Sequence, residues 1–148
     1  MSYWFEEPYE SLTELQYLFE KHLLDESERR FIVETEHHIV GIVELVEINY
    51  IHRNCEIQII IKPEFNGKGF AKEAFDKATD YAFKILNMHK VYLYVDCDND
   101  KAVHIYEIQG FKIEGRLREH FYTKGEYKDA FIMACLRHEH ERYKNPQS

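Results

Sequence analysis

Between Cys55 and Lys72 the chain reads CEIQIIIKPEFNGKGFAK, a stretch whose residue types and order could hold a phosphate. The apolar run Ile57 to Ile61 predicts a short strand that stops at Lys62-Pro63. A turn with two glycines follows, Asn66-Gly67-Lys68-Gly69, and then a helix through Ala71, Ala74, Phe75 and Ala78. Glycines let backbone N–H groups converge, and the first turn of a helix offers unpaired donors together with the positive end of its dipole. Lys62, Lys68 and Lys72 add charge of the right sign. A G-x-G turn alone equally describes a tight turn without a ligand. A second concentration of charge lies at the front: Glu6, Glu7, Glu10, Glu14, Glu20, Asp25, Glu26 and Glu28 stand against Lys21, Arg29 and Arg30. Such a run is either a solvated acidic helix face or a site for a polyamine or a metal ion.

The elements that must position these residues belong to one expected domain, residues 1–148. Hydrophobic residues are 45% of the chain and aromatics 15%, which excludes a disordered tail. The net charge of −8 argues against a nucleic-acid partner and suits a cationic one. No apolar run is long enough to span a membrane, and Met-Ser-Tyr-Trp-Phe-Glu-Glu is no secretory signal, so a cytoplasmic protein is expected. Cys55, Cys97 and Cys135 are far apart and odd in number, and are expected as reduced thiols. His37-His38, His120, His138 and His140 lack the spacing and the cysteines of a zinc site.

Ser11-Leu-Thr-Glu14 resembles a capping box, and Leu12, Leu15, Leu18, Phe19 and Leu23 recur at helical spacing. Strands are predicted over Arg30–Glu34 and Ile39–Asn49, paired antiparallel about a turn at Glu36–His38, and over Glu56–Ile61. A helix from about Gly69 to Leu86 leads into a buried strand, Val91–Val95. That crossover makes the Glu56–Ile61 and Val91–Val95 strands parallel. Asp98-Asn99 caps a helix, Lys101 to Gln109, ended by Gly110. Strands over Phe111–Phe121 and Tyr127–Leu136 close the pattern about the turn Lys124-Gly125-Glu126. The fold class is mixed α/β (α+β), a mostly antiparallel twisted sheet flanked by helices.

Asn66-Gly67-Lys68-Gly69-Phe70-Ala71 resembles the Q/R-x-x-G-x-G/A pyrophosphate signature of the GCN5-related N-acetyltransferases, with Asn66 where that pattern prefers Gln or Arg. Asn99-Asp-Lys-Ala102-Val-His-Ile-Tyr106-Glu-Ile-Gln-Gly110-Phe111 matches the family's N-x-x-A-x-x-x-Y-x-x-x-G-F at every marked position. Tyr3-Trp-Phe-Glu-Glu-Pro-Tyr-Glu10, Glu28-Arg-Arg-Phe31, Val43-Glu-Leu-Val-Glu-Ile-Asn49 and Gln58-Ile-Ile-Ile61 are similar to the bacterial spermidine/spermine N-acetyltransferases. That family ordinarily carries a further strand and helix before the YWFEEPYE segment. By that resemblance the chain is expected to lack them, leaving a sheet edge open.

The resemblance implies acetyl transfer from acetyl-CoA to a primary amine of spermidine or spermine by direct attack, in polyamine detoxification and homeostasis. It implies that backbone N–H groups of Asn66, Gly67, Lys68, Gly69, Phe70, Ala71 and Lys72 hold the CoA pyrophosphate. Ile59, Ile60 and Ile61 would pair their backbone with the pantetheine arm. Asn99, Lys101, Ala102 and Tyr106 would complete the cofactor site, with Tyr106 as general acid. Glu56 would attract the amine and begin a relay for its proton, beside Ile57 and Gln58; His120 and Glu119 are weaker candidates there. A regulatory polyamine site would fall on Met1, Glu6, Glu14, His22, Leu23, Leu24 and Asp25, with Glu6 and Glu47 sharing a divalent cation, Mg²⁺ or Ca²⁺. A ring-like dodecamer is implied as well. The alternatives are another enzyme of the same fold, acetylating a protein N-terminus or an aminoglycoside, and a polyamine- or acetyl-CoA-binding module without catalysis.

Overall fold

The computed structural model describes residues 26–144. The helix expected over Leu12–Leu23 lies outside them. Within them runs one six-stranded sheet in the order β1-β2-β3-β4-β6-β5. The strands are β1 (Arg29–Glu34), β2 (Ile39–Asn49), β3 (Asn54–Ile61), β4 (Lys90–Asp96), β5 (Lys112–Thr123) and β6 (Glu126–Leu136). Neighbours are antiparallel except β3 and β4, which are parallel and joined by the crossover helix α1 (Phe70–Lys84). Helix α2 (Asp100–Ile108) follows β4, and α3 (Arg137–Lys144) follows β6.

The β3–β4 pairing is short. Asn54, Cys55 and Glu56 face Lys90, Val91 and Tyr92, and among the described residues the two strands pair no further. Each is held on its other side instead: β3 stays in register with β2 as far as Ile61, and β4 with β6 as far as Asp96. The strands therefore part in the middle of the sheet, and a gap opens between Ile57–Ile61 and Leu93–Asp96.

Alternation along the strands gives the sheet two unlike faces. Val43, Leu45, Cys55, Ile57, Val91, Leu93, Val95, Met133 and Cys135 form one core with Ala74, Phe75, Ala78, Ala82 and Phe83 of α1. Alanines at one-turn spacing let α1 lie close to the strands, while Phe75 and Phe83 fill the volume. The opposite face carries Arg30 and Glu44, joined at 3.0 Å, with Glu56 and Gln58 joined at 2.9 Å.

Helix α3 has no apolar periodicity to announce it: the segment reads RHEHERYK, and only His140 of it is buried. Polar contacts dock it. His140 Nε2 meets Asp80 of α1 and its ring packs on Phe83, Lys144 pairs with Asp76, and Lys112 of β5 pairs with Glu139. Glu139 also accepts the Leu136 N–H at 3.0 Å. The three thiols are free, and burial pushes those of Cys55 and Cys135 up to about 12, with Glu56 and Glu139 adding to the shift. Cys97 is half-buried. No described helix is long and apolar enough to cross a membrane.

Burial pushes the Asp80 carboxyl up, but the hydrogen bond with His140 and the charge of Lys144 outweigh it and hold Asp80 below the usual carboxylate range. A depressed folded value means that this contribution is present above the ordinary carboxyl value of about 3.9 and is lost as pH falls through the lowered one. Asp80→Asn is expected to cost about 1–2 kcal/mol at neutral pH, a fall in Tm of several degrees, and to flatten the acid limb of stability against pH. Thermal melts of both proteins across the acid range check this.

Candidate active site

The turn after β3 and the start of α1 are shaped by two glycines in the left-handed region, Gly67 at φ +79° and Gly69 at φ +84°. Gly69 is the N-cap of α1 and supplies no side-chain acceptor to the first-turn N–H groups. Those donors face a cleft of about 410 Å³. Asn66, Gly67, Gly69, Ala71 and Lys72 line it from this side, with Phe75 one turn further on. Ile59 and Ile61 line it from β3. Asn99, Lys101, Ala102, Ile105, Tyr106 and Gln109 line it from α2.

The α2 wall is fixed by a cap and by ring contacts. Asn99 Oδ1 accepts the Ala102 N–H at 3.1 Å, which starts the helix. The Tyr106 ring packs on Phe75 at 5.2 Å, and Phe75 packs on Phe111 at 5.2 Å. Ala102, Ile105, Tyr106 and Gln109 follow one another at three- and four-residue steps, so one helix face supplies them all. Burial raises the Tyr106 phenol above its ordinary value and keeps it protonated. Gln109 is 3% exposed; its Nε2 donates to the Lys72 carbonyl at 3.2 Å, while its Oε1 is buried without a partner. An unmatched buried acceptor of this kind costs about 1–3 kcal/mol.

Glu56 lies elsewhere. It stands in the last paired position before the strands part, opposite Tyr92, on the sheet face away from α1. Around it are Gln58, Tyr92 and Tyr94, and His120 stacks on Tyr94 at 5.2 Å. Burial pushes Glu56 up; the Gln58 amide pulls it back, Glu47 and Glu44 raise it and His120 lowers it, leaving it raised. Burial and the Glu56 charge raise Tyr92 to about 12, and the same causes raise Tyr94. β-Bulges at Val46/Asn49 and Leu117/Phe121 accompany Glu47 at φ +51° and Glu119 at φ +49°. The Glu119 N–H is held at 2.8 Å by Asp129, at the edge of an open hollow of about 830 Å³ that Arg116, Arg118 and His120 share.

Of the residues expected to act together, Ile59, Ile61, Asn66, Gly67, Gly69, Ala71, Lys72, Asn99, Lys101, Ala102 and Tyr106 converge on the cleft. Others do not. Ile60 pairs with Ile42 and points with Gln58 to the opposite face. Ile57 is core. Lys68 lies over the Phe65 ring. Phe70 turns into a separate apolar hollow of about 520 Å³ between β1 and α1, lined also by Phe31, Val33 and Tyr81. Glu47 is exposed, and its expected cation partner Glu6, with Met1, Glu14, His22, Leu23, Leu24 and Asp25, lies outside the described residues. Ile105 and Gln109, which helical spacing puts near the face of Ala102 and Tyr106, line the cleft as well, and Phe75, four residues on from Ala71, was not expected there.

The arrangement suits a long ligand with an anionic end at the α1 terminus and an apolar arm along β3, reaching a phenol on one side of the sheet and a carboxylate through the gap. The family described as Acetyltransferase (GNAT) family matches residues 1–111. The spermidine N(1)-acetyltransferase of Vibrio cholerae is 56% identical over 137 residues, covering 92% of this chain and 79% of the relative. A crystal structure of spermidine N-acetyltransferase from Vibrio cholerae in complex with CoA and spermine superposes with a TM-score of 0.79 at 52% identity, covering 97% of this chain and 83% of the other. A dodecameric structure of spermidine N-acetyltransferase from Vibrio cholerae also gives 0.79 at 52% identity, covering 100% of this chain and 85% of the other.

A Cβ on Gly69 would meet nothing within 4 Å, so only the positive φ opposes substitution. Gly69→Ala is expected to lower stability by about 1–2 kcal/mol, read from the urea midpoint at unchanged slope.

Proposed function

Because the chain belongs to the GNAT family of acetyltransferases, we propose that its reaction is acetyl transfer from acetyl-CoA to a primary amine of a polyamine, spermidine or spermine. The observation that carries this is the parted sheet, with an uncapped helix start and apolar cleft on one face and the half-buried carboxylate of Glu56 among tyrosines on the other. The Vibrio cholerae relatives, named for spermidine and in one case bound to CoA and spermine, support it. Their dodecameric form supports a homo-oligomer.

The cleft residues fit the cofactor's chemistry. The free N–H groups at the start of α1 receive the pyrophosphate, and Lys72 and Lys101 offset its charge. Ile59 and Ile61 line the pantetheine arm, and Ala102 leaves room beside it. When bound, acetyl-CoA would supply the thioester that the amine attacks.

The amine arrives on the other face. A primary amine with pKa about 10.4 costs about 4.6 kcal/mol to deprotonate at pH 7. Glu56 attracts the ammonium and, through water, takes its proton; its raised pKa makes it a better acceptor than an exposed carboxylate. Tyr92 and Tyr94 offer ring faces to the cationic chain. The neutral amine nitrogen would then bond the thioester carbonyl carbon as the C–S bond breaks; Tyr106 would give its proton to the departing sulfur, and the second proton, lost from the new amide nitrogen, would pass through water to restore the phenol. A phenol near 10 against a thiol near 8.5 makes that transfer uphill by roughly 2 kcal/mol in water. In the cleft the thiolate loses its water too, which raises its basicity and narrows the gap. We propose also that Met1, Glu6, Glu14, His22, Leu23, Leu24 and Asp25 form a regulatory polyamine site, with Glu6 and Glu47 sharing Mg²⁺ or Ca²⁺.

Acetyl-CoA consumption is measured with spermidine, spermine and an N-terminal peptide. Turnover with the polyamines alone is expected; turnover with the peptide alone would replace the substrate class. Tyr106→Phe is expected to lower kcat by about 10²-fold or more with CoA affinity unchanged. Undiminished turnover would remove Tyr106 from the proton transfer. Glu6→Gln with Glu14→Gln is expected to flatten a sigmoidal spermidine response, and superposable curves would count against the regulatory site.

A further inference from the structure

Gln109 follows the last turn of α2 and is covered almost completely, yet only half of its amide is used. Nε2 donates across the cleft to the Lys72 carbonyl at 3.2 Å, and Oε1 is buried without a partner. A buried acceptor with no donor destabilises a fold, and an apolar side chain of the same size avoids that cost. Stability therefore does not account for a glutamine here.

What the side chain does is join the two walls of the cleft. Lys72 belongs to the first turn of α1, whose free N–H groups point into the cleft, and Ala102, Ile105 and Tyr106 face it from α2. The backbone does not duplicate the tie. The Gln109 N–H is spent on the Ile105 and Tyr106 carbonyls, and the Phe111 N–H on that of Tyr106, so both return to α2 rather than crossing to α1. The ring of Tyr106 also packs on Phe75, an apolar contact that fixes no donor direction. We infer that Gln109 is a positioning residue for the cofactor: its amide ties α2 to the first turn of α1 and sets the width of the acetyl-CoA cleft at the expense of stability. This rests on the assignment of that cleft to acetyl-CoA.

The test compares the full chain with Gln109→Leu and Gln109→Glu, measuring Tm, the Kd for CoA by calorimetry, and the KM for acetyl-CoA and spermidine. Gln109→Leu is expected to melt at or above the wild-type Tm. Its CoA Kd and acetyl-CoA KM are expected to rise about three- to tenfold, with kcat and the spermidine KM within about twofold. A glutamate can donate to the Lys72 carbonyl only when protonated, so the CoA deficit of Gln109→Glu relative to wild type is expected to shrink as pH falls. An unchanged CoA Kd in Gln109→Leu would overturn the inference, as would a fall in Tm or a failure to fold, either of which would make Gln109 structural. A wild-type chain that does not bind CoA would overturn the cleft assignment and this inference with it, whereas variants indistinguishable from a CoA-binding wild type would overturn the inference alone.

Discussion

Two parallel strands that pair over three residues and then separate govern the rest of this structure. Backbone N–H and C=O groups along the facing edges must find partners, and a parted pair leaves those positions for something other than the sheet. The separation persists because each strand is held from behind, β3 by β2 and β4 by β6, in antiparallel ladders that run well past the point of divergence. Helices α1 and α2 both begin beyond the ends of these strands. Their N-termini thus gather at one end of the gap, the position at which open α/β sheets place ligands.

The two faces divide the chemistry between them. On the side of α1, glycines, lysines and aliphatic residues favour a ligand that is anionic at one end and apolar along its length. On the other, Glu56, Glu47, Glu44 and the tyrosines favour a cation. Were the two sets on one face, the carboxylates would repel the phosphates and neutralise the lysines. The sheet keeps them apart, and the gap lets the reacting atoms meet. The overall negative charge suits a cation, while an anionic group at the start of α1 would rely on local backbone donors that contribute no net charge.

The succession of strands along the chain, the crossover and both helix starts were readable from periodicity and from Gly67, Gly69 and Asn99, because those residues are required by backbone geometry wherever the chain goes next. The pairing of Asn99 with Ala102 was present in the spacing itself. Other features depend on partners distant in sequence. Helix α3 was invisible because RHEHERYK is held by Asp76, Asp80 and Lys112, and its period carries no apolar stripe. Phe70, one residue past the glycines, belongs to a different hollow because the helix turns it toward β1. Ile60 follows its alternation away from the cleft that Ile59 and Ile61 enter. Glu56 was identified by type and strand position, but its separation from Tyr106 by the thickness of the sheet is a property of register, which a single strand cannot reveal.

The buried thiols carry a practical consequence for assays. Release of CoA is commonly followed by trapping its new sulfhydryl with a chromogenic disulfide, and any reactive cysteine in the enzyme competes for the dye. Cys55 and Cys135 are covered and held as neutral thiols to about 12, so neither is nucleophilic at assay pH. Background labelling of the folded chain then falls to Cys97 alone. Stoichiometric colour beyond one equivalent would report unfolded molecules, which makes the same reagent a measure of how much of a preparation is native.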